Sequence, residues 1–324
     1  MAGKPSAEFL AAFRRRAGTR RALTFAEFMA LALYDETVGY YRREQQRVGY
    51  APGSDFFTAS TSGPVFGELV AAACVTLLDG RDPREFTFVE IGAEPEGGVL
   101  RDVAHPFGAA RIVRVGEPGE LRGPCVVFSN ELFDAQPFRR FVFRAGAWRE
   151  LGVELRQDAL VEVELNRAVN VDALPKQSAE GYVIDAPLAA AELARAIAAQ
   201  PWTGLFVACD YGKTWREIVE AAPAGTARAY FRHTQSNDLL AQPGEQDLTC
   251  HVCWDWLGDA LARESFAAPH VESQEAFFLR HAGEFIAAAT AAEAARLSRR
   301  KLALMQLLHP AHLGQKFQVL HAWR

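Results

Sequence analysis

Polar side chains able to do chemistry recur at one kind of place in this chain, the end of a short apolar run. Glu90 sits in the run Phe86 to Ile91, which leads into Gly92-Ala-Glu94-Pro-Glu96-Gly97-Gly98. Asn130, Glu131 and Asp134 follow the run Cys125 to Ser129, and Asp210-Tyr211 follows Leu205 to Cys209. Continuously apolar runs of this length are what a parallel sheet covered on both faces requires. Ligands of open α/β sheets bind outside the carboxyl ends of the strands, so three polar clusters at three such ends predict one shared cleft. Converging carboxylates suit a cationic guanidinium, held through paired hydrogen bonds. Asn130 and Glu131 also suit the first turn of a helix, where side-chain acceptors and negative charge are favoured.

Other chemistries fit less well. A dinucleotide fingerprint needs G-x-G-x-x-G after the first strand, and Glu94 stands where the middle glycine would let backbone approach a pyrophosphate. A glutamate there repels phosphate but tolerates a cofactor without phosphate, such as the sulfonium S-adenosylmethionine. Gly212-Lys213-Thr214 lacks the upstream glycine of a phosphate-binding loop, because Val207 occupies its place. No G-x-S-x-G serine elbow occurs. Cys250-His251-Val-Cys253 has no second pair at ligand spacing to complete the roughly four ligands of zinc, so packed thiols and no metal are expected.

The elements that must position these residues are legible in outline. Thr24-Phe-Ala-Glu27 is a capping box opening a helix from Phe25 to Leu33. Gly63-Pro64 opens another, Glu68 to Leu78. Alternation over Phe138 to Leu165, with a turn at Ala145-Gly146, predicts an antiparallel insertion. A helix follows Pro187, a strand covers Arg228 to Arg232, and a helix starts near Asp255. One long helix is expected from Glu284 to Leu308, then a strand from Lys316 to His321. Arg14, Arg15, Arg16, Arg20 and Arg21 read as the solvated face of a helix that turns Phe9, Leu10 and Phe13 inward, rather than as an organelle presequence.

The 324 residues carry a net charge of −5, which points to no nucleic-acid partner. No apolar run reaches the roughly 20 residues of a membrane span. Five cysteines, an odd and sparse set, read as reduced thiols and a cytoplasmic location.

Leu33-Tyr-Asp-Glu-Thr-Val-Gly-Tyr-Tyr41, Asp55-Phe-Phe-Thr-Ala59 and Pro64-Val-Phe-Gly-Glu68 resemble the N-terminal signature of the MidA-like S-adenosylmethionine-dependent methyltransferases. Ser129-Asn-Glu-Leu-Phe-Asp-Ala-Gln-Pro137, Cys209-Asp-Tyr-Gly212, Pro243-Gly-Glu-Gln-Asp-Leu-Thr249 and Leu313-Gly-Gln-Lys-Phe-Gln-Val-Leu320 continue the resemblance over nearly the whole chain. That family includes the mitochondrial protein-arginine methyltransferase needed for respiratory complex I assembly. The resemblance implies a seven-stranded, Rossmann-like class I methyltransferase sheet. An N-terminal helical cap would occupy 1–80 and the α/β core 81–324, with insertions near 138–165 and 213–250. It implies S-adenosylmethionine over the glycine turn, held by Thr58, Glu90, Gly92, Gly97, Glu117 and Asn130. It also implies Glu131, Asp134 and Asp210 as the carboxylates orienting an acceptor guanidinium and taking its proton. The expected partner is a protein substrate or an assembly partner related to complex I.

Two departures from that pattern stand in the sequence. The family's glycine-rich loop, roughly G-x-G-x-G, is here Gly92-Ala-Glu94-Pro-Glu96. Only 33 residues, Gly92 to Pro124, separate the first two apolar runs. A full methyltransferase places there a helix, a second strand ending in a ribose-binding acid, a further helix and a third strand. Arg111 to Val115 is the only clear strand in the interval, and Glu117 is the ribose acid if that strand is the second. The two functional readings are therefore an enzyme methylating a protein side chain, and a methyltransferase-fold binding or assembly protein without catalysis.

Overall fold

The computed structural model describes residues 5–42, 62–93, 97–117, 119–294 and 298–324. They fall into two compact units: Met1–Phe56 with Asp134–Ala191 and Lys213–Cys253, and Phe57–Phe133 with Glu192–Gly212 and Trp254–Arg324.

The second unit is built on a mixed sheet of β1 (Thr87–Ile91), β2 (Ala109–Val113), β3 (Gly123–Asn130), β4 (Trp202–Asp210), β5 (Ala267–Ser273) and β6 (Gln318–Trp323). Their spatial order is β5-β6-β4-β3-β1-β2. The first four run parallel to one another, while β6 is antiparallel to both β4 and β5. Helix α1 (Pro64–Leu77), with proline in its first turn, buries Phe66, Leu69 and Val70 against Phe88, Phe128 and Val207 of the sheet. The Phe66 ring meets those of Phe128 and Phe278 at 6.4 and 6.1 Å. This helix, grouped by the sequence with an N-terminal cap, therefore packs in the core of the sheet unit. Helices α2 (Trp254–Arg263), α3 (Gln274–His281), α4 (Gly283–Ala292) and α5 (Arg299–Leu308) complete it.

The sheet corrects the expectation of seven strands: it has six among the described residues. β2 pairs with β1 on the side away from β3, so the strand in the shortened interval takes the second place, and among the described residues no strand lies beyond it at that edge. Thirty-three residues leave little room for two strands and two helices of ordinary length, and the described part of the first crossover, 97–108, contains no helix. The single helix expected from Glu284 to Leu308 is two. α4 closes at Glu293, and Ser298 caps α5 by accepting the Lys301 N–H at 3.1 Å. A serine that caps a new helix outcompetes continuation of the old one.

The first unit carries an antiparallel sheet. Arg139–Arg144, Ala147–Arg156 and Ala159–Glu164 pair in succession, with Ala22–Thr24 and Val183–Ala186 at the outer positions. The capping box at Thr24 and Glu27 is formed on both sides, and the helix Phe25–Tyr34 buries Phe25, Phe28 and Met29. The helix Ala7–Ala17 buries Phe9, Leu10 and Phe13 while Arg14, Arg15 and Arg16 face solvent. Fully buried Glu150 receives Arg139 through two hydrogen bonds of 2.9 and 2.7 Å, and Arg167 through a third of 2.6 Å. Among the described residues no helix is long and apolar enough to cross a membrane.

Candidate active site

The carboxyl ends of β1, β3 and β4 stand side by side, as their registers require: Glu90 is level with Phe128, and Asn130 with Cys209. Gly92 leaves β1 with φ +85°, and its N–H donates to the Val113 carbonyl at 2.8 Å, which ties the turn to β2. A Cβ at position 92 would lie 2.8 Å from Leu132 Cδ1. Both the left-handed backbone and the close approach thus call for glycine.

Glu90 is buried at 8% exposure and accepts the Val99 N–H at 2.5 Å. Its carboxylate therefore draws the far side of the glycine turn back onto β1. Gly98 packs on this carboxylate, and a Cβ there would collide with it and with Ile112. Gly97 has φ +131°. Gly67 of α1 is needed for another close approach, because a Cβ there would run into the Val99 carbonyl. Gly67 and Gly98 were missed as site-building residues; the visible signal is their place in Gly63-Pro-Val-Phe-Gly67 and Gly97-Gly98.

Glu117 lies four residues beyond β2. Its carboxylate accepts the Arg114 N–H at 3.0 Å, and its side chain is half exposed at 49%. Asn130 ends β3 and donates from Nδ2 to Glu131 Oε1 at 2.9 Å. Asn130 Oδ1 and Ser129 Oγ are buried with no hydrogen-bond partner among the described residues. Buried acceptors of this kind are uncommon and call for a partner. Glu131 itself holds φ +51°, a strained conformation for a residue with a side chain, while its N–H donates to the Cys209 carbonyl at 2.9 Å.

Asp210 is fully buried. One carboxylate oxygen accepts the Phe133 N–H at 3.0 Å and the other the Tyr211 N–H at 2.9 Å, so this side chain fastens the loop after β3 to the end of β4. Asp134, also buried, counts in the first unit, where its carbonyl accepts the Cys250 N–H at 2.9 Å. Thr58, Glu94 and Glu96 lie outside the described residues. The structure therefore brings Glu90, Gly92, Gly97, Glu117, Asn130, Glu131 and Asp210 to one end of one sheet.

The thiols of the sheet unit take no part. Burial pushes Cys74 and Cys209 up from their ordinary range, Cys209 with help from the acidic Asp210 and Glu131 nearby. Cys250 and Cys253 are buried, as packed thiols would be.

Residues 112–271, just under half of the chain, match the family described as "Putative S-adenosyl-L-methionine-dependent methyltransferase". A crystal structure from Burkholderia thailandensis, described as a "likely methyl transferase" bound to S-adenosyl-homocysteine, is 25% identical with a TM-score of 0.82. The similarity spans 100% of this chain and 95% of that one. An uncharacterized protein of the same superfamily and organism, 22% identical over the same shares with a TM-score of 0.79, has the same fold. No curated protein matches the sequence. The chain carries the class I fold of the S-adenosylmethionine-dependent methyltransferases.

Proposed function

We propose that the chain binds S-adenosylmethionine at the carboxyl ends of β1 and β3 and methylates a nitrogen of a protein side chain. The observation that carries this reading is the buried Asn130 Oδ1 beside the glycine turn, which has no hydrogen-bond partner among the described residues. The residues fit the cofactor. Gly92 adds no side chain to the turn, Glu117 offers a carboxylate to a ribose diol, and an acidic surround suits a sulfonium rather than a phosphate. Similarity to a structure holding S-adenosyl-homocysteine supports the same cofactor.

When bound, the cofactor supplies an electrophilic methyl group on a positively charged sulfur. The protein's own work is to align the acceptor nitrogen, exclude water and take the proton that nitrogen releases. Glu131, held by Asn130 in a strained conformation at the strand end, is the residue we assign to that proton. Asp210, with both oxygens on backbone amides, is assigned to positioning of the Glu131–Phe133 loop. Resemblance to the MidA-like family supports arginine as the acceptor, with Asp134 a further carboxylate for the guanidinium. It supports a protein substrate or assembly partner related to respiratory complex I.

Isothermal titration of the full chain with S-adenosylmethionine and S-adenosylhomocysteine tests the reading. Saturable binding of both is expected. No binding at millimolar cofactor would sink the enzyme and leave the methyltransferase fold serving as a binding or assembly protein.

A further inference from the structure

A second constellation lies at the opposite margin of the same sheet, and methyl transfer makes no use of it. β5 and β6 are antiparallel with His270 directly opposite His321, and Glu272 comes two residues after His270 on the same strand. Residues two apart on a strand share a face, so one face of this pair presents two imidazoles and a carboxylate together. Helix α3 follows β5 at once and brings Arg280 and His281 onto the same group.

Among the described residues, His270, Glu272 and His321 are the group whose ligand atoms all come within 4.8 Å of one another. His321 Nε2 is 3.4 Å and His270 Nε2 3.9 Å from Glu272 Oε1. Charge-assisted hydrogen bonds would be nearer 2.7–2.9 Å, and the buried Nε2 of His321 has no hydrogen-bond partner among the described residues. Zinc bonds of about 2.0–2.2 Å in a tetrahedron place neighbouring ligand atoms about 3.3–3.5 Å apart. The His321 spacing already matches. His270 has a side chain 53% exposed, able to swing its imidazole the short way inward from a spacing of at most 4.8 Å.

The carboxylate is held for this use. Arg280 pairs with Glu272 Oε2 at 2.8 Å, and His281 Nε2 lies 3.2 Å from Oε1. Such outer partners fix the orientation of ligating carboxylates in metal sites. Arg280 also lies 3.5 Å from His270 Nε2, a contact that a metal would replace. We propose that His270, His321 and Glu272 bind a divalent transition-metal ion of the zinc class. Solvent takes the fourth position, and the ion clamps the edge strand β5 to β6. Two nitrogens and one oxygen suit zinc or cobalt, and not the all-oxygen preference of calcium or magnesium.

The test uses the untagged full chain, stripped with chelator. It is titrated with Zn²⁺ by calorimetry and with Co²⁺ by visible absorption, where tetrahedral nitrogen-oxygen ligation gives intense bands. One saturable equivalent, displacement of Co²⁺ by Zn²⁺, and a rise in Tm are expected. His270→Gln, on an exposed side chain, and Glu272→Gln should each lower affinity at least about tenfold. His233→Gln should leave it unchanged. Thermal melts of the metal-free variants confirm that they fold. Absence of saturable binding overturns the proposal, as does parental affinity in folded His270→Gln and Glu272→Gln.

Discussion

Replacing Gly92 with alanine should weaken the binding of S-adenosylhomocysteine by about thirtyfold while leaving the chain folded. Position 92 has φ +85°, a region where a side chain costs about 1–2 kcal/mol. The new Cβ would also stand 2.8 Å from Leu132 Cδ1, so Leu132 must retreat or the turn must open. Either movement shifts the backbone between β1 and Glu90's partner Val99. The φ strain is present with and without ligand and acts on stability; displacement of the turn from the cofactor is what should cost the complex about 2 kcal/mol, a factor of about 30 in Kd. The same strain lowers Tm by only a few degrees, at roughly 2–4 °C per kcal/mol for a large domain. Gly123→Ala is the control. Its φ is +67° with nothing within 4 Å of the added Cβ, and it sits at the opposite end of the eight-residue β3 from Asn130. That is about 20 Å away at 3.3 Å per residue. It should cost similar stability and leave cofactor affinity unchanged. Calorimetry and thermal melts on both variants decide the matter. Parental affinity in Gly92→Ala, or equal losses in both variants, would refute the placement of the cofactor over this turn.

Four further outcomes are expected. Glu131→Gln keeps an acceptor for Asn130 Nδ2 but cannot take a proton. Turnover should fall about 10²–10⁴-fold with cofactor affinity within a few-fold of the parent, read by steady-state kinetics and calorimetry. Glu117→Ala should weaken cofactor binding about tenfold or more by removing a charged partner of the ribose; titration showing no change would exclude that role. Burial, with Lys213 and Arg228 nearby, pushes His251 down from 6.5 to about 4. The unfolded chain therefore binds a proton that the native chain refuses, and stability should fall by up to about 3 kcal/mol as pH drops from 6.5 to 4, then level off. Urea melts across that window should show a flatter slope in His251→Gln. Glu150→Ala removes a buried carboxylate that bonds two partly exposed arginines and should cost about 2 kcal/mol by denaturant melt.

The strand ends were legible because burial on both faces leaves an uninterrupted apolar run, and Phe86–Ile91, Cys125–Ser129 and Leu205–Cys209 each show one. The helix caps were legible for a local reason, since Thr24 and Glu27 satisfy each other within four residues. What escaped was non-local or masked by a contrary residue. β5 contains Pro269, which lacks an N–H, and its exposed, mixed sequence gives no period; it is an edge strand whose register shifts between Ala267 and His270. The partnership of Glu90 with Val99 and Gly98 needs the turn to fold back nine residues later, and no spacing rule announces it. His321 lies 51 positions beyond His270, so only the β5–β6 register reveals that they face each other. Asp210 looked like a catalytic carboxylate by position, and only the geometry shows its oxygens on the amides of Phe133 and Tyr211.

The shortened interval bears on the site less than its length suggests. The strand it retains pairs with β1 in parallel register, Ile91 level with Val113, and Glu117 follows it at the same end of the sheet as Gly92 and Asn130. The absent strand would have lain beyond β2, one place farther from the glycine turn. Its absence leaves Ala109 to Ile112 exposed as a sheet edge, and Arg111 and Arg114 carry charge along it, a common guard against pairing with another chain. The registers that align Glu90 with Phe128 and Asn130 with Cys209 do not pass through the missing strand. The contraction therefore trims the periphery of a methyltransferase sheet while sparing the strand ends that would hold the cofactor. That places the burden of deciding activity on the glycine turn itself, where Gly92 and the Glu90 carboxylate set the backbone.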